Sequence, residues 1–282
     1  VGGIVVYFIS GTLGDCSVTD VTLKGYRDIG GLVGMLQKDG RTPVVSSSSV
    51  SNAKLIADQV TDFYGAKEMN IDEIAGRKSG EYSFADNTVE GVSYEYIVNN
   101  ASAQTALDSA KSNSTVKLTA GEYDKLFVRQ SKFVSVKTNE GSYPWYKREI
   151  FNLSILGVDG TVVKGIEFIS GHIYSADNSV TDPVTGNKQN YYSNLQCADI
   201  AFRNIKFTDY MEFNGWESTL FSVDGLEISG CLFNMENSAK ASTAGTIAAV
   251  HIGSSDGERN LKNFRFDSCE FLNAFQGIYV VN

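Results

Sequence analysis

The carboxyl-terminal part of the chain carries charged residues of the types that act on acidic sugars. Proton abstraction from a uronate ring needs a base, and carboxylates can hold Ca²⁺ against the uronate carboxylate. The candidates are the basic pair Arg203 and Lys206 and the acidic pair Asp267 and Glu270, which could also serve as the two carboxylates of a glycosidase. No catalytic motif surrounds them, so surface ion pairs, such as one between Glu167 and Lys206, are the competing interpretation.

Several aromatic residues lie in or beside predicted loops and are candidates for ligand binding. They are Tyr191, Tyr192, Tyr210 and Trp216. Exposed aromatic rings stack on sugar rings or anchor contacts with other proteins. The alternative is that these rings pack the loops against the body of the protein.

Residues that ligate metals are few and scattered. The four cysteines show no C-x-x-C spacing, and the two histidines, His172 and His251, are isolated, which indicates loop or surface positions. A zinc site of the usual kind is therefore not expected. No cofactor is predicted; Ca²⁺ is considered only because Asp177, Asn178 and Asp182 share one polar loop, and their spacing matches no known cage.

The overall composition is that of a β-rich folded protein. The 282 residues include 27 glycines, 14 tyrosines and 16 phenylalanines but only 3 prolines, and aromatic residues favour strands. A net charge of −9 repels phosphate backbones, so nucleic acid is not an expected partner. No apolar run approaches the roughly 20 residues of a transmembrane helix. The chain opens on VGGIVVYF without Met, so we expect a segment of a longer protein.

Two short phrases recur in the first third of the chain. The phrase GGIV at 2–5 matches GGLV at 30–33, and IAG at 74–76 is a degenerate third copy of its second half. A second phrase alternates between apolar and polar residues, as strands do, and its copies align on Val18, Val50 and Val89. Such repetition indicates stacked supersecondary units.

Each copy of the second phrase carries a residue type that tolerates a positive φ two positions after the aligned valine. These residues are Asp20, Asn52 and Gly91. Because positive φ angles turn the backbone sharply, we expect them at the corners between strands.

The glycine-rich phrase GGLVG at 30–34 lacks the Lys-Ser/Thr of a phosphate-binding loop. Its glycines Gly31 and Gly34 are expected at tight corners or at close contacts between coils. With CSVTDVTLKGYRD ahead of it, the phrase resembles the GLUG-type repeats of large bacterial surface proteins, and the resemblance covers residues 1–96. It implies an extracellular or cell-surface location and no shared catalytic residues.

The second region opens with a predicted helix near 102–112. Ala103, Ala106, Leu107 and Ala110 form its apolar stripe, and Ser102 is the expected N-cap. The strand and glycine turn that follow, TVKLTAGEY, complete a succession that resembles the entry of pectate-lyase-like right-handed parallel β-helices over residues 97–282. The resemblance implies a helix that covers the open end of the barrel and protects its first edge.

One template fits four segments of this second region, 161–168, 200–207, 226–233 and 264–271. Positions 1, 3, 6 and 8 are apolar in fifteen of sixteen cases, and position 5 carries a small or turn-forming residue. The template therefore describes two short strands joined by a corner. In-register stacking would place Phe168, Phe207, Phe233 and Phe271 in one interior ladder. It would also bring Cys231 and Cys269 close enough for a disulfide, although their parallel Cβ vectors favour two buried thiols.

The sequence therefore predicts an all-β protein, a right-handed parallel β-helix with a GLUG-like region at 1–96 and a pectate-lyase-like region at 97–282. Repeats without site motifs favour a non-enzymatic, extracellular, adhesin-like or structural surface solenoid of a bacterium. Its expected partner is a polysaccharide or another surface protein. One alternative is a polysaccharide lyase or glycoside hydrolase that uses the loop face, although the motifs of polygalacturonases and pectate lyases are missing. The other is a carbohydrate-binding module without chemistry.

Overall fold

The chain folds into parallel β-sheets with one short helix. The computed structural model describes residues 1–59, 69–129, 138–140, 143–173, 191–215, 221–236, 248–252 and 259–280. Within these ranges the chain forms thirty strands and one helix, and the strands of most sheets run parallel. The prediction of an all-β fold is confirmed, and this arrangement fits a parallel β-solenoid.

The chain divides into two compact units. The first comprises Val1–Val98 with Asn113–Lys117, and the second comprises Asn99–Ser112 with Leu118–Asn282. The strands of the first unit are β1 (Val5–Phe8), β2 (Thr12–Gly14), β3 (Ser17–Thr19), β4 (Thr22–Gly25), β5 (Ile29–Gly30), β6 (Val33–Gln37), β7 (Val44–Ser46), β8 (Ser49–Ser51), β9 (Lys54–Asp58), β10 (Ile71–Asp72), β11 (Ala75–Ser79), β12 (Ser83–Ala85), β13 (Thr88–Glu90), β14 (Ser93–Val98) and most of β15 (Ser114–Leu118).

The second unit holds the helix and the remaining strands. They are α1 (Asn100–Ser109), β16 (Gly121–Tyr123), β17 (Leu126–Val128), β18 (Thr138–Glu140), β19 (Tyr143–Gly157), β20 (Thr161–Val163), β21 (Ile166–Ile173), β22 (Tyr191–Arg203), β23 (Lys206–Phe207), β24 (Met211–Gly215), β25 (Phe221–Ser229), β26 (Leu232–Asn234), β27 (Ala248–Ile252), β28 (Arg259–Asp267), β29 (Glu270–Leu272) and β30 (Gln276–Val280).

In the first unit, each strand pairs with the matching strand of the next repeat. Strand β6 lies between β1 and β11, β7 between β2 and β12, β8 between β3 and β13, and β9 between β4 and β14. The register joins Val18 to Val50 and Val50 to Val89, and a further bridge joins Gly2 to Gly30. The alignment of both recurring phrases is therefore confirmed.

The corners of these coils rely on positive φ angles. Asp20 has φ 53°, Asn52 has φ 49° and Gly91 has φ 62°, as the repeat predicted. The amide Nδ2 of Asn52 also donates to Oδ1 of Asp20 at 3.1 Å. A second column of positive φ, which the sequence did not reveal, lies between the second and third strands of each repeat and consists of Asp15, Ser47 and Asp86.

The recurring glycines are required by space between the coils. A Cβ atom on Gly31 would lie 2.0 Å from the carbonyl oxygen of Glu73 and 2.8 Å from a methyl carbon of Val50. A Cβ on Gly34 would lie 2.7 Å from the carbonyl oxygen of Val6. The predicted close contacts between coils are thus confirmed, whereas neither glycine has a positive φ.

We expect Gly31→Ala to lower the free energy of unfolding of the first unit by about 1–3 kcal/mol, because the added methyl group overpacks a contact with backbone. Gly14→Ala is the matched control, since its Cβ would meet Ser46 Oγ at an ordinary 3.4 Å. Amide hydrogen exchange at increasing urea concentrations measures the unfolding free energy of each unit separately. Equal exchange in the two variants would show that the close contact does not constrain this position.

The second unit contains three stacks of parallel strands. The first stack runs β19, β22, β25 and β28, and the second runs β16, β20, β23, β26 and β29. The third runs β17, β21, β24, β27 and β30. From β19 onward, each coil therefore contributes one strand to each stack, and the three stacks enclose the core.

The interior ladder is confirmed for three of its four predicted members. The ring of Phe233 stacks on Phe207 at 4.8 Å between centroids and on Phe271 at 5.1 Å. The corner residues of these three segments, Asn204, Gly230 and Ser268, all have positive φ, as the template predicted.

The placement of segment 161–168 was wrong. Val163 pairs with Phe207, and Phe168 belongs to the third stack, where it stacks on Phe213 at 4.6 Å. Segment 161–168 forms the corner between the second and third stacks, whereas the other three segments form the corner between the first and second stacks. Because its apolar spacing is the same as theirs, the pattern alone could not tell which corner this segment forms.

The cysteines of the described chain are free thiols. Cys231 is buried, and burial raises the pKa of its thiol to about 11. Cys269 is half-buried, so the prediction of two buried thiols holds for one member of the pair.

Helix α1 begins two residues before the predicted start. Asn99 is its N-cap, and the Asn99 backbone N–H donates to Ser102 Oγ at 3.2 Å, so Ser102 occupies the third helical position. Asparagine caps a helix as well as serine does. The predicted apolar stripe is buried, with Ala103, Ala106 and Leu107 among its members.

The helix covers the first strand of the third stack. The Gln104 side chain donates to the carbonyl oxygen of Phe127 at 3.0 Å and accepts from the Phe127 N–H at 2.8 Å. Arg148 in turn donates to the carbonyl oxygens of Leu107 (2.6 Å) and Ala110 (3.0 Å) near the helix carboxyl end. These bonds satisfy backbone groups that strand edges and helix ends otherwise leave unpaired.

We expect Phe207→Ala to cost about 3–5 kcal/mol of unfolding free energy, the usual range for emptying a buried phenylalanine site. Phe275→Ala is the control, because Phe275 is 79% exposed and its loss should cost about 0.5 kcal/mol or less. Urea unfolding followed by circular dichroism measures both. A similar cost in the two variants would contradict the interior ladder.

Candidate functional site

The four charged residues predicted for catalysis do not form one site. Arg203 ends β22 and Asp267 ends β28 in the first stack, whereas Lys206 begins β23 and Glu270 begins β29 in the second stack. The positive-φ corner at Asn204 separates the two basic residues, so they extend from different sheets.

Arg203 lines a shallow groove of about 260 Å³ on the outer face of the first stack. Its Nη2 atom lies 3.2 Å from Glu227 Oε2, and Arg265 Nη2 lies 3.2 Å from Asp267 Oδ2. The hydrogen bond and charge of Arg203 lower the pKa of Glu227. These side chains are between 37% and 69% exposed, so the groove carries surface ion pairs of small energetic value.

The predicted ion pair between Glu167 and Lys206 is wrong. Glu167 lies in the third stack, where its Oε2 atom is 2.5 Å from Lys125 Nζ. The error has the same origin as the misplaced segment 161–168, because both assumed that this segment stacks on 200–207.

The structure describes the side chain of only one of the four aromatic candidates. Tyr191 and Tyr192 open β22, and their side chains lie outside the described residues. Trp216 lies outside them too, as do the Ca²⁺ candidates Asp177, Asn178 and Asp182. Tyr210 is described and lies immediately before β24.

A column of side chains that the sequence analysis missed occupies the outer face of the third stack. Neighbouring strands bring together Phe127, Glu167, Glu212, His251 and Tyr279, which we call the Glu–His column. The chain neighbours of Glu167, Glu212 and His251 on both sides are buried. Because side chains alternate between the two faces of a strand, the column itself points away from the core.

Lys125 and Tyr210 flank Glu167 in this column. The ammonium group of Lys125 lies 3.3 Å from the Tyr210 hydroxyl and 4.6 Å from the centre of its ring. Burial by itself would lower the pKa of Lys125, but the charge and hydrogen bond of Glu167 outweigh it, with a smaller contribution from Tyr210, and raise that pKa. Lys125 is therefore held as a cation against the carboxylate.

Glu212 and His251 form the second half of the column. Nδ1 of His251 lies 3.7 Å from Oε1 of Glu212, and the imidazole stacks on the ring of Tyr279 with 5.5 Å between centroids. The side chains of Glu167 and Glu212 are each only 14% exposed. The column thus offers two partly buried carboxylates on neighbouring strands, beside aromatic rings and a cation.

A signal for this column was present in the sequence. Each strand of the third stack contains an apolar residue, a column member and another apolar residue, in the triplets LFV, IEF, MEF, VHI and IYV. The triplets are short and separated by segments of unequal length, so alternation over so few residues does not stand out.

Comparison of the chain with protein-family models, curated proteins and solved structures gave no match. Across the described ranges, no helix has the length and apolar character to cross a membrane. In the same part of the chain, no three metal-ligating side chains come together. The outer faces of the first and third stacks carry the groups from which a function can be inferred.

We expect Lys125→Met to lower the unfolding free energy by about 1–3 kcal/mol, because the partly buried Glu167 carboxylate would lose its charged partner. Lys164→Met is the matched control, because it removes an ion pair with Asp124 in which the two side chains are 64% and 69% exposed, and it should lower the unfolding free energy less than Lys125→Met does. Urea unfolding of both variants measures the difference. Equal costs would indicate that Lys125 and Glu167 behave as an ordinary surface pair.

Proposed function

We propose that each of the two units is itself a right-handed parallel β-helix. Parallel strands of one sheet that are joined by a crossover connect with right-handed geometry in nearly all proteins, because of strand twist. The in-register stacking of matching strands in each unit supports this assignment. So do the resemblances of residues 1–96 to GLUG-type repeats and of 97–282 to pectate-lyase-like β-helices.

We infer that the protein is an extracellular, adhesin-like or structural surface solenoid of a bacterium that contacts polysaccharide. The observation that carries the carbohydrate contact is the Glu–His column, in which carboxylates and aromatic rings share one face. Carboxylates accept hydrogen bonds from hydroxyl groups, and aromatic rings stack on the apolar faces of sugars. The ion-paired groove of the first stack supports a structural role for that face.

A glycoside hydrolase is the second candidate, and the pairing of Glu167 with Glu212 in neighbouring strands is what favours it. Strands in a sheet lie about 4.8 Å apart, and retaining glycosidases place two carboxyl groups about 5 Å apart. Because Glu167 is paired with Lys125, Glu212 would have to be the carboxylic acid that donates the proton. Against this candidate, the Oε1 atom of Glu212 already faces Nδ1 of His251 at 3.7 Å.

In a screen of neutral and acidic polysaccharides, with and without Ca²⁺, we expect retention of the protein without release of reducing ends or unsaturated products. Sedimentation with insoluble polysaccharide measures retention, and reducing-sugar and ultraviolet assays measure turnover. Turnover would overturn the binding role in favour of the enzyme. Loss of that turnover in Glu167→Gln or Glu212→Gln would assign it to the column, and loss in Arg203→Ala or Lys206→Ala would assign it to the other stacks.

A further inference from the structure

We propose that the Glu–His column binds a neutral glycan and excludes acidic ones. This inference rests on the proposed function, since it names the site and the ligand class of the polysaccharide contact. The site consists of Glu167, Glu212, His251 and Tyr279 on four successive strands of the third stack, with Tyr210 beside Glu167.

The site is held in place before any ligand arrives. In-register pairing keeps its members at the spacing of the strands, about 4.8 Å, so that the column from Phe127 to Tyr279 spans roughly 19 Å. Lys125 is bound to both Glu167 and Tyr210, and the ring of Tyr279 is stacked on His251. Side chains that are already ordered lose little conformational entropy on binding.

The charges of the column favour an uncharged ligand. Glu167 and Glu212 contribute two carboxylates, whereas Lys125 contributes one full positive charge and lies against Glu167. His251 adds a second positive charge only when it is protonated. A uronate placed along the column would meet Glu212 directly, and like charges in a site of low exposure repel strongly.

The same groups suit hydroxyl-rich ligands. Each carboxylate can accept several hydrogen bonds, and O–H···O⁻ bonds are about twice as strong as neutral ones. Tyr210 lies beside Glu167, where both contact Lys125, and Tyr279 lies at the far end of the column beyond His251. A glycan that lies across the strands therefore meets the two carboxylates, the imidazole and the ring of Tyr279 in turn. The net charge of −9 on the whole chain also disfavours acidic polysaccharides.

Affinity gel electrophoresis of the full chain tests this inference, with mixed-linkage β-glucan, arabinoxylan and galactomannan as neutral probes and polygalacturonate and alginate as acidic ones. We expect at least one neutral probe to retard the protein and neither acidic probe to do so. Glu212→Gln removes a charged hydrogen-bond acceptor, and Tyr279→Ala removes an aromatic ring. Each should raise the dissociation constant for that neutral probe, measured from the retardation, about tenfold or more.

The matched control is Glu81→Gln, which makes the same change in a glutamate that is paired with Lys38 and whose side chain is 76% exposed. It should leave retardation unchanged, and thermal unfolding confirms that each variant is folded. Unchanged retardation in folded Glu212→Gln and Tyr279→Ala would overturn the site while leaving polysaccharide binding intact. Retardation by an acidic probe alone would overturn the ligand class, and no retardation by any probe would overturn both the site and the proposed polysaccharide contact.

Discussion

In-register hydrogen bonding between parallel strands of successive coils is the interaction on which the rest of this structure depends. It requires each coil to turn at the same place as its neighbours, and the columns of positive φ at Asp20, Asn52 and Gly91 provide those turns. It also requires close backbone approach, which leaves no room for a side chain at Gly31. The turn residues and the recurring glycines are therefore two consequences of one constraint.

The same register decides what the interior and the surface contain. Inside, like residues fall above one another, so that Phe207, Phe233 and Phe271 pack as a ladder of rings. Outside, the same register brings charged residues of successive coils close enough to form ion pairs. Two of these ion pairs differ in exposure. The pair of Arg203 with Glu227 is exposed, whereas the pair of Lys125 with Glu167 is partly buried.

That difference in exposure separates the scaffold from the candidate site. The ion pairs of the groove stay hydrated, so exchanging water for a ligand there would bring little gain. In the Glu–His column, the carboxylates of Glu167 and Glu212 are mostly covered and lie beside aromatic rings, where water no longer screens them fully. A ligand with matching hydroxyl groups would gain more from this column than from any exposed ion pair.

Local patterns in the sequence were enough to predict the parallel β architecture, the corners of the first repeats, the apolar stripe of α1 and three members of the phenylalanine ladder. They were enough because each depends on a few adjacent residues whose types are dictated by alternation or by positive φ. The register of segment 161–168 and the whole third stack were decided only by the tertiary structure. Segment 161–168 has the same apolar spacing as three segments that form a different corner, so the pattern does not reveal its register. Lys125, Glu167 and Tyr210 meet only after the coils have stacked, so no local pattern connects these three residues.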